Sequence, residues 1–388
     1  MKKEDRENVS DPRAEIDQID GELLRLLNRR AEIALRVGKA KSDGDASLCD
    51  HTREREVLSQ VCKQNPGPFD DQSIYSIFQR IIDESLHLQQ STYQKPSSAA
   101  SGKHTQIQER AASSRIAILG EPGTFSEEAA LAISGGTCET ISCPSFDDVF
   151  RAIDDGRADL IVAPLENSLI GSIHRCYDLL LESSLTIVGE VDLPISHQLV
   201  GCSGSTLDSI GSVESHPAAL AQCETFFAAH SHLERIPATD TAGSVKRVVE
   251  SGDVTRAAIG SRRAAERYGG NILSENIEDH SENFTRFVVL SDNTEAADGE
   301  KVSMVMRLKH QPGALHQALR PFVRRGINLL KIESRPVKGS PTEFNFYFDI
   351  QVPASESELS AALDEVRSQA DQIRLLGRYP VIRMSGGM

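Results

Sequence analysis

Along the first ninety residues the apolar positions recur at steps of three and four. Ile16, Leu23, Leu27, Ala34 and Val37 fall on one stripe, the period of an amphipathic helix. Asp11 and Pro12 suit a helix start, and only Gly21 and Gly38 interrupt the run before the DGDAS loop. A short helix is expected to begin in DHTRERE, and a further one to carry Ile74, Phe78 and Ile81. Residues 1–94 therefore read as all-α. Residues 95–113, within QKPSSAASGKHTQIQERAASS, have almost no large apolar side chain and read as a flexible linker. From 114 to 292 short β-rich runs (IAILG, DLIVAP, LTIVGEV, AAIG, FTRFVVL) alternate with helical ones, the pattern of an α/β domain with a largely parallel sheet. A second polar joint, SDNTEAADGE, precedes residues 300–385, where strand, helix, strand, strand, helix, strand can be read. Phe344, Phe346, Phe348 and Ile350 alternate there as a half-buried strand requires, and the order is that of an α+β ferredoxin-like domain.

Composition narrows the function classes. The formal charge of −15 over 388 residues argues against nucleic acid or an anionic membrane as partner. No segment approaches the ~20 apolar residues of a membrane helix, and the N-terminus is polar. Seven cysteines without a CxxC pair fit free thiols in a reducing compartment. A cytoplasmic protein with no metal and no cofactor is the expectation.

Three cations, Arg13, Arg30 and Lys41, share the apolar stripe of the first helix. Near a helix end a cation ordinarily snorkels to water. Arg30 is mid-helix, where an unpaired charge would be costly, so something anionic should meet it. The third helix continues its stripe into Ser85 and Gln89, while Asp50, Arg53 and Glu54 start the short helix between. Arg13 and Arg30 are 17 residues apart, about 25 Å on a straight helix, too far for both to grip one small metabolite. If Arg13 is in the site it comes from a second chain, and the helical domain is an intertwined dimer. At these positions the segment resembles the all-helical chorismate mutases fused to bacterial prephenate dehydratases. The resemblance implies a site of Arg13, Arg30, Lys41, Asp50, Arg53, Glu54, Ser85 and Gln89, with chorismate rearranged to prephenate without a cofactor. It further implies that Arg30 and the other chain's Arg13 bind carboxylates, Lys41 and Gln89 stabilise the ether oxygen, and Glu54 accepts from the ring hydroxyl. Orientation and preorganised donors would supply the catalysis.

In the middle segment small polar residues repeatedly separate a strand from a helix: GEPGTFS, where Thr124 and Glu127 have capping-box spacing, then LENSLIGSIHR, SHPAALAQC and DTAGSVKRVV. Each alone is an ordinary cap, but several helix starts beside strand ends make an anion site. With ENFTRFVVL these runs resemble prephenate dehydratase over residues 114–290, though the common Gly-Pro-x-Gly opening stands here with its proline shifted. The resemblance implies a two-lobed fold, Thr285 as the essential threonine, and a cleft drawing on Thr124, Ser126, Asn167, Ser168, Thr241, Arg286 and Phe287, with Arg286 on a carboxylate if it faces the cleft. ENSLIGSIHRCYDLL is also similar to plant arogenate dehydratases, so arogenate stands as an alternative substrate. Residues 301–382 resemble an ACT domain. Its phenylalanine signatures are matched by Gly313, Ala314 and Leu315 and by Glu333, Ser334, Arg335 and Pro336. The sequence thus predicts a multidomain enzyme that takes chorismate and prephenate, senses L-phenylalanine, and assembles as a homodimer or higher even oligomer. The rival class is a two-lobed aromatic-metabolite sensor without catalysis.

Overall fold

The computed structural model describes residues 12–43, most of 51–88, 106–292, 299–308, 310–353 and 356–384, and the chain divides into two compact units, 1–98 and 99–388. In the first unit, α1 (Pro12–Asp43) is a 32-residue helix opened by proline, α2 (His51–Lys63) follows, and the described part of 71–88 is helical. Leu58 and Ile82 are buried, whereas Ile16, Leu23, Leu24 and Leu27 of α1 are 43–63% exposed in the single chain.

The second unit holds three sheets. The first has the order β16-β5-β11-β3-β1-β2, with β4 on β3. Its strands are β1 (Arg115–Leu119), β2 (Glu139–Cys143), β3 (Leu160–Asn167), β4 (Gly171–Ser172), β5 (Thr186–Pro194), β11 (Phe284–Ser291) and β16 (Val381–Arg383). The second has the order β10-β6-β9-β7-β8, built from β6 (Gln198–Gly201), β7 (Ser212–Ser215), β8 (Glu234–Pro237), β9 (Arg256–Gly260) and β10 (Asn271–Ser274). The chain crosses between these lobes after β5 and again before β11. Because it returns on β11, that strand runs antiparallel to β3 and β5, and the expected largely parallel sheet is mixed. The third sheet, β13-β14-β12-β15, comprises β12 (Lys301–Arg307), β13 (Leu329–Val337), β14 (Ser340–Gln351) and β15 (Gln372–Tyr379).

The α-helices of this unit that follow β1 are α3 (Phe125–Ile133), α4 (Phe146–Asp154), α5 (His174–Glu182), α6 (Pro217–Ala221), α7 (Glu224–Ala229), α8 (Thr241–Ser251), α9 (Arg262–Tyr268), α10 (Ala314–Arg324) and α11 (Glu356–Arg367). The first sheet is covered on both faces, which is why β11 reads as an unbroken apolar run. Phe287 and Val289 pack with Ile118 and Val162 on the α3 side, while Val288 and Leu290 join Tyr177, Leu180 and the ferredoxin-like domain's Val305, Tyr347 and Leu376 on the other. That domain is therefore docked on the back of the first sheet, and its own core of Met304, Met306, Phe322 and Phe348 lies under α10 and α11. At the crossing of β15 over β5 a Cβ on Gly377 would stand 2.1 Å from the Ile187 carbonyl oxygen, so only glycine allows this approach. The last strand, β16, leaves the third sheet and pairs with the edge of the first.

The expected linker is shorter than 95–113. Residues 106–112 are helical, with Ile107 and Ala111 buried in the first-sheet core and Arg110 donating to Ser291 Oγ at 2.6 Å. Two apolar residues one turn apart suffice to dock a helix, yet they leave too weak a pattern to stand out in a polar stretch.

Candidate active sites

In the helical unit, Arg30 is half-buried and donates to Ser85 Oγ at 2.5 Å and to the Ile81 carbonyl at 3.3 Å. Burial lowers its pKa from the usual guanidinium value. Arg30 and Ser85 thus meet, while Arg13 lies in the first turn of α1. Asp50, Gln89 and the side chains of Lys41, Arg53 and Glu54 fall outside the described residues.

In the two-lobed domain the decisive contact is a cross-strand pair. Thr285 of β11 stands opposite Asn167 of β3, and both are under 9% exposed. Asn167 Oδ1 accepts from the backbone N–H of Leu169 and of Ile170, each at 3.0 Å. This turns Nδ2 toward Thr285 Oγ1 at 3.0 Å, Asn283 Oδ1 at 2.7 Å and the Phe284 carbonyl at 3.1 Å. Thr285 is thereby held as an acceptor from Asn167, and among the described residues no acceptor takes its proton. Its hydroxyl keeps a proton to donate.

The same logic runs onward. Asn283 Oδ1 is occupied, so its Nδ2 donates to Gln222 Oε1 at 3.1 Å, and Gln222 Oε1 also faces His197 Nε2 at 2.8 Å. His197 must carry its proton on Nε2, and burial lowers its pKa, keeping the ring neutral. Asn283 could have been suspected from the sequence, being two residues before Thr285 on one strand face. His197 and Gln222 carry no such signal, because only the two crossings between lobes bring them here.

The GEPG loop is pinned to the second lobe. Gly120 and Gly123 have φ +88° and +95°, where glycine is favoured, and a Cβ on Gly123 would press on Ala264 at 3.0 Å. Ser261 Oγ donates to the Gly123 carbonyl at 2.8 Å and Tyr268 Oη to that of Pro122 at 2.7 Å. Glu127 binds Arg263 at 2.7 Å and accepts from the Gly123 N–H at 2.8 Å. Neither half of the expected capping box forms: Glu127 takes the N–H of Gly123 and not that of the N-cap Thr124, and Thr124 Oγ1 donates to the Leu119 carbonyl at 3.3 Å. Thr124 and Ser126 are buried at the start of α3, and Thr241 opens α8 behind its N-cap Asp240.

Three expected cleft residues are used elsewhere. Arg286 points to the opposite face of β11 from Thr285, as strand alternation demands, and binds Glu190 and Asp349 at 2.6 Å each, so it does not hold a substrate carboxylate. Phe287, 2% exposed, is core under α3. Ser168 fastens the turn before β11, donating to the Glu282 carbonyl and accepting from the Phe284 N–H, both at 3.0 Å.

At the third sheet, Gly313 has φ +83° at the start of α10, with Ala314 and Leu315 half-buried behind it. The ESRP run divides between two faces. Ser334 and Pro336 stand in register with Phe346 and Phe344, whereas Glu333 accepts from Ser172 Oγ at 2.9 Å and Arg335 binds Asp178 at 3.1 Å, both on the two-lobed domain.

Three family models match in succession: Chorismate mutase type II over residues 12–90, Prephenate dehydratase over 116–295 and ACT domain over 302–371. A bifunctional chorismate mutase/prephenate dehydratase of Neisseria gonorrhoeae is 35% identical over 367 residues, spanning 94% of this chain and 95% of that protein. The chain belongs to the bifunctional chorismate mutase/prephenate dehydratase family. As a family member it carries the helical mutase region, the α/β dehydratase domain and the ACT domain in that order. A solved prephenate dehydratase of Arthrobacter aurescens, in complex with L-Phe, is 30% identical with a TM-score of 0.64, covering 69% of this chain and 90% of that one. The Arabidopsis thaliana arogenate dehydratase/prephenate dehydratase 1 is 40% identical over 284 residues, 69% of this chain and 72% of that protein. Among the described residues no helix is long and apolar enough to cross a membrane, and no three His, Cys, Asp or Glu are grouped to hold a metal.

Proposed function

We propose that this chorismate mutase/prephenate dehydratase works in the cytoplasm as a homodimer or higher even oligomer, forming prephenate in its helical unit and phenylpyruvate in its cleft, with L-phenylalanine as the ACT-domain effector. In the mutase, Arg30 and Arg13 of two different chains anchor the two carboxylates of chorismate. The exposed Ile16, Leu23 and Leu27 give α1 a face for that second chain. Lys41 and Gln89 stabilise the negative charge that builds on the ether oxygen as the C–O bond breaks, with Ser85, Asp50, Arg53 and Glu54 around the ring.

In the cleft, the ring carboxylate of prephenate leaves as CO2, its bonding pair moves into the ring, and the C4 hydroxyl departs, taking up a proton to leave as water. Aromatisation drives the reaction. The group that has to be helped is the leaving oxygen, and the donor-ready hydroxyl of Thr285, backed by Asn167, is the observation that carries this reading. Thr124, Ser126 and Thr241 stand at the helix starts and supply polar groups for the dianion. The experiment is a separation of activities. Thr285→Ala should abolish phenylpyruvate formation from prephenate yet leave chorismate consumption nearly intact, and Arg30→Ala should do the reverse. Loss of both activities from either folded variant would refute the two-site reading.

A further inference from the structure

Each member of the catalytic donor pair has a neighbour pointing the other way. Thr285 pairs with Asn167, and at the next position Arg286 pairs with Glu166. Strand alternation sends this second pair to the face on which the ACT sheet is docked. There Arg286, 10% exposed, binds Glu190 of β5 and Asp349 of β14 at 2.6 Å each. Lys301 of β12 completes the cluster, 2.7 Å from Glu190 and 3.8 Å from Asp349, and Tyr379 Oη accepts from Arg286 at 3.3 Å. Glu166 in turn binds Lys331 of β13 at 2.7 Å. Lys331 stands two residues before Glu333, on the same face of the strand that carries the ESRP run.

We infer that Arg286 and Glu166 are positioning residues that carry the arrangement of the ACT sheet to the Asn167–Thr285 hydrogen bond. The inference rests on the dehydratase and effector reading above, and says by which contacts effector binding reaches the chemistry. Asp349 and Glu190 are 9% and 1% exposed, so each must keep a cation beside it, and the two cations they share come one from β11 (Arg286) and one from β12 (Lys301). The ACT strands and the catalytic strands are therefore tied together at this point. A shift of β13 or β14 is felt one residue from Thr285 and one residue from Asn167. The register of β11 on β3 shifts between Arg286 and Phe287, an irregularity of the kind that lets one position re-aim without moving the strand behind it. A cavity of about 490 Å³ bordered by Glu166, Arg286, Lys331 and Asp349 leaves room for a second arrangement of these side chains.

The test uses the full chain and two variants, Lys331→Met, which keeps an apolar stem on an edge strand, and Arg286→Lys, which keeps the buried charge but loses the fork. Dehydratase rate is measured without and with saturating phenylalanine, and phenylalanine binding is measured at equilibrium on the same samples. Wild-type inhibition of about fivefold or more, the low end of ordinary coupling, should shrink to below about twofold in Lys331→Met while phenylalanine binds within about threefold of wild type. Arg286→Lys should lose inhibition likewise and lower kcat more than it raises KM. Inhibition at the wild-type level in Lys331→Met overturns the inference, and so does loss of inhibition that comes with loss of binding, which would make these effector-site contacts. If Arg286→Lys does not fold, Lys331→Met decides alone. A wild-type chain that binds no phenylalanine, or is not inhibited by it, removes the effector reading itself and this inference with it.

Discussion

Replacing Asn167 by aspartate tests the direction in which the Thr285 proton points. In the wild type Nδ2 donates to three oxygens, those of Thr285, Asn283 and Phe284, at 2.7–3.1 Å. A carboxylate can donate to none of them. The Thr285 hydroxyl would swing round to donate to the new anion, and the cleft would lose its donor. A hydrogen bond to a charged group is worth about 1.5–3 kcal/mol, so Asn167→Asp should lower kcat for phenylpyruvate formation by about 10- to 150-fold at neutral pH. At this position, 6% exposed, burial raises the pKa of the introduced carboxyl while the Leu169 and Ile170 N–H groups lower it. Once protonated, that group has an O–H to offer Thr285 Oγ1, so activity should climb as pH falls, opposite to a simple loss of stability. The assay is phenylpyruvate absorbance in alkali after timed incubation with prephenate across a pH series, with chorismate consumption by the same sample as the folding control. A folded variant with wild-type kcat and a wild-type pH profile would refute the donor assignment.

Gly313→Val should weaken phenylalanine binding at least tenfold, since a β-branched residue at φ +83° costs about 1–3 kcal/mol of backbone strain and fills the start of α10; equal affinity by equilibrium dialysis would place the effector elsewhere. Burial raises the Glu128 carboxyl from 4.5 to about 7 against opposing pulls from Ser261 and Arg263. The folded state therefore holds that proton more tightly than the unfolded chain. The stability this provides is complete below 4.5 and is lost as pH rises through about 7. Glu128→Gln, which cannot titrate, should gain up to about 3 kcal/mol over wild type well above that range and nothing below it, read as the urea midpoint at two pH values. The same gain at both would disprove the cause.

The helical period of the first segment, the alternation of β11 and the Gly-rich helix starts are written in neighbouring residues, so the all-α unit, the α/β domain and the ferredoxin-like order are legible in the chain itself. Thr285 by itself is only a polar residue at the mouth of an apolar strand, ordinary for β-propensity, and the resemblance to prephenate dehydratase is what singles it out. Alternation even sends Arg286 to the face opposite Thr285, but does not say which face is the cleft. That is decided by the ACT sheet, which covers one side and draws Arg286 into a buried cluster with Glu190 and Asp349. Asp349 is visible in the sequence as a charge inside FYFDIQV; its cation partners Arg286 and Lys301, 63 and 48 residues earlier in the chain, are not. The mixed sheet, the His197–Gln222–Asn283 chain and the docking of residues 106–112 have the same origin. Local pattern sets which elements form, because it depends on side chains a turn or a pleat apart. Which elements meet is settled by the requirement that every buried charge and amide find a partner, and in this protein those partners come from other domains and other lobes.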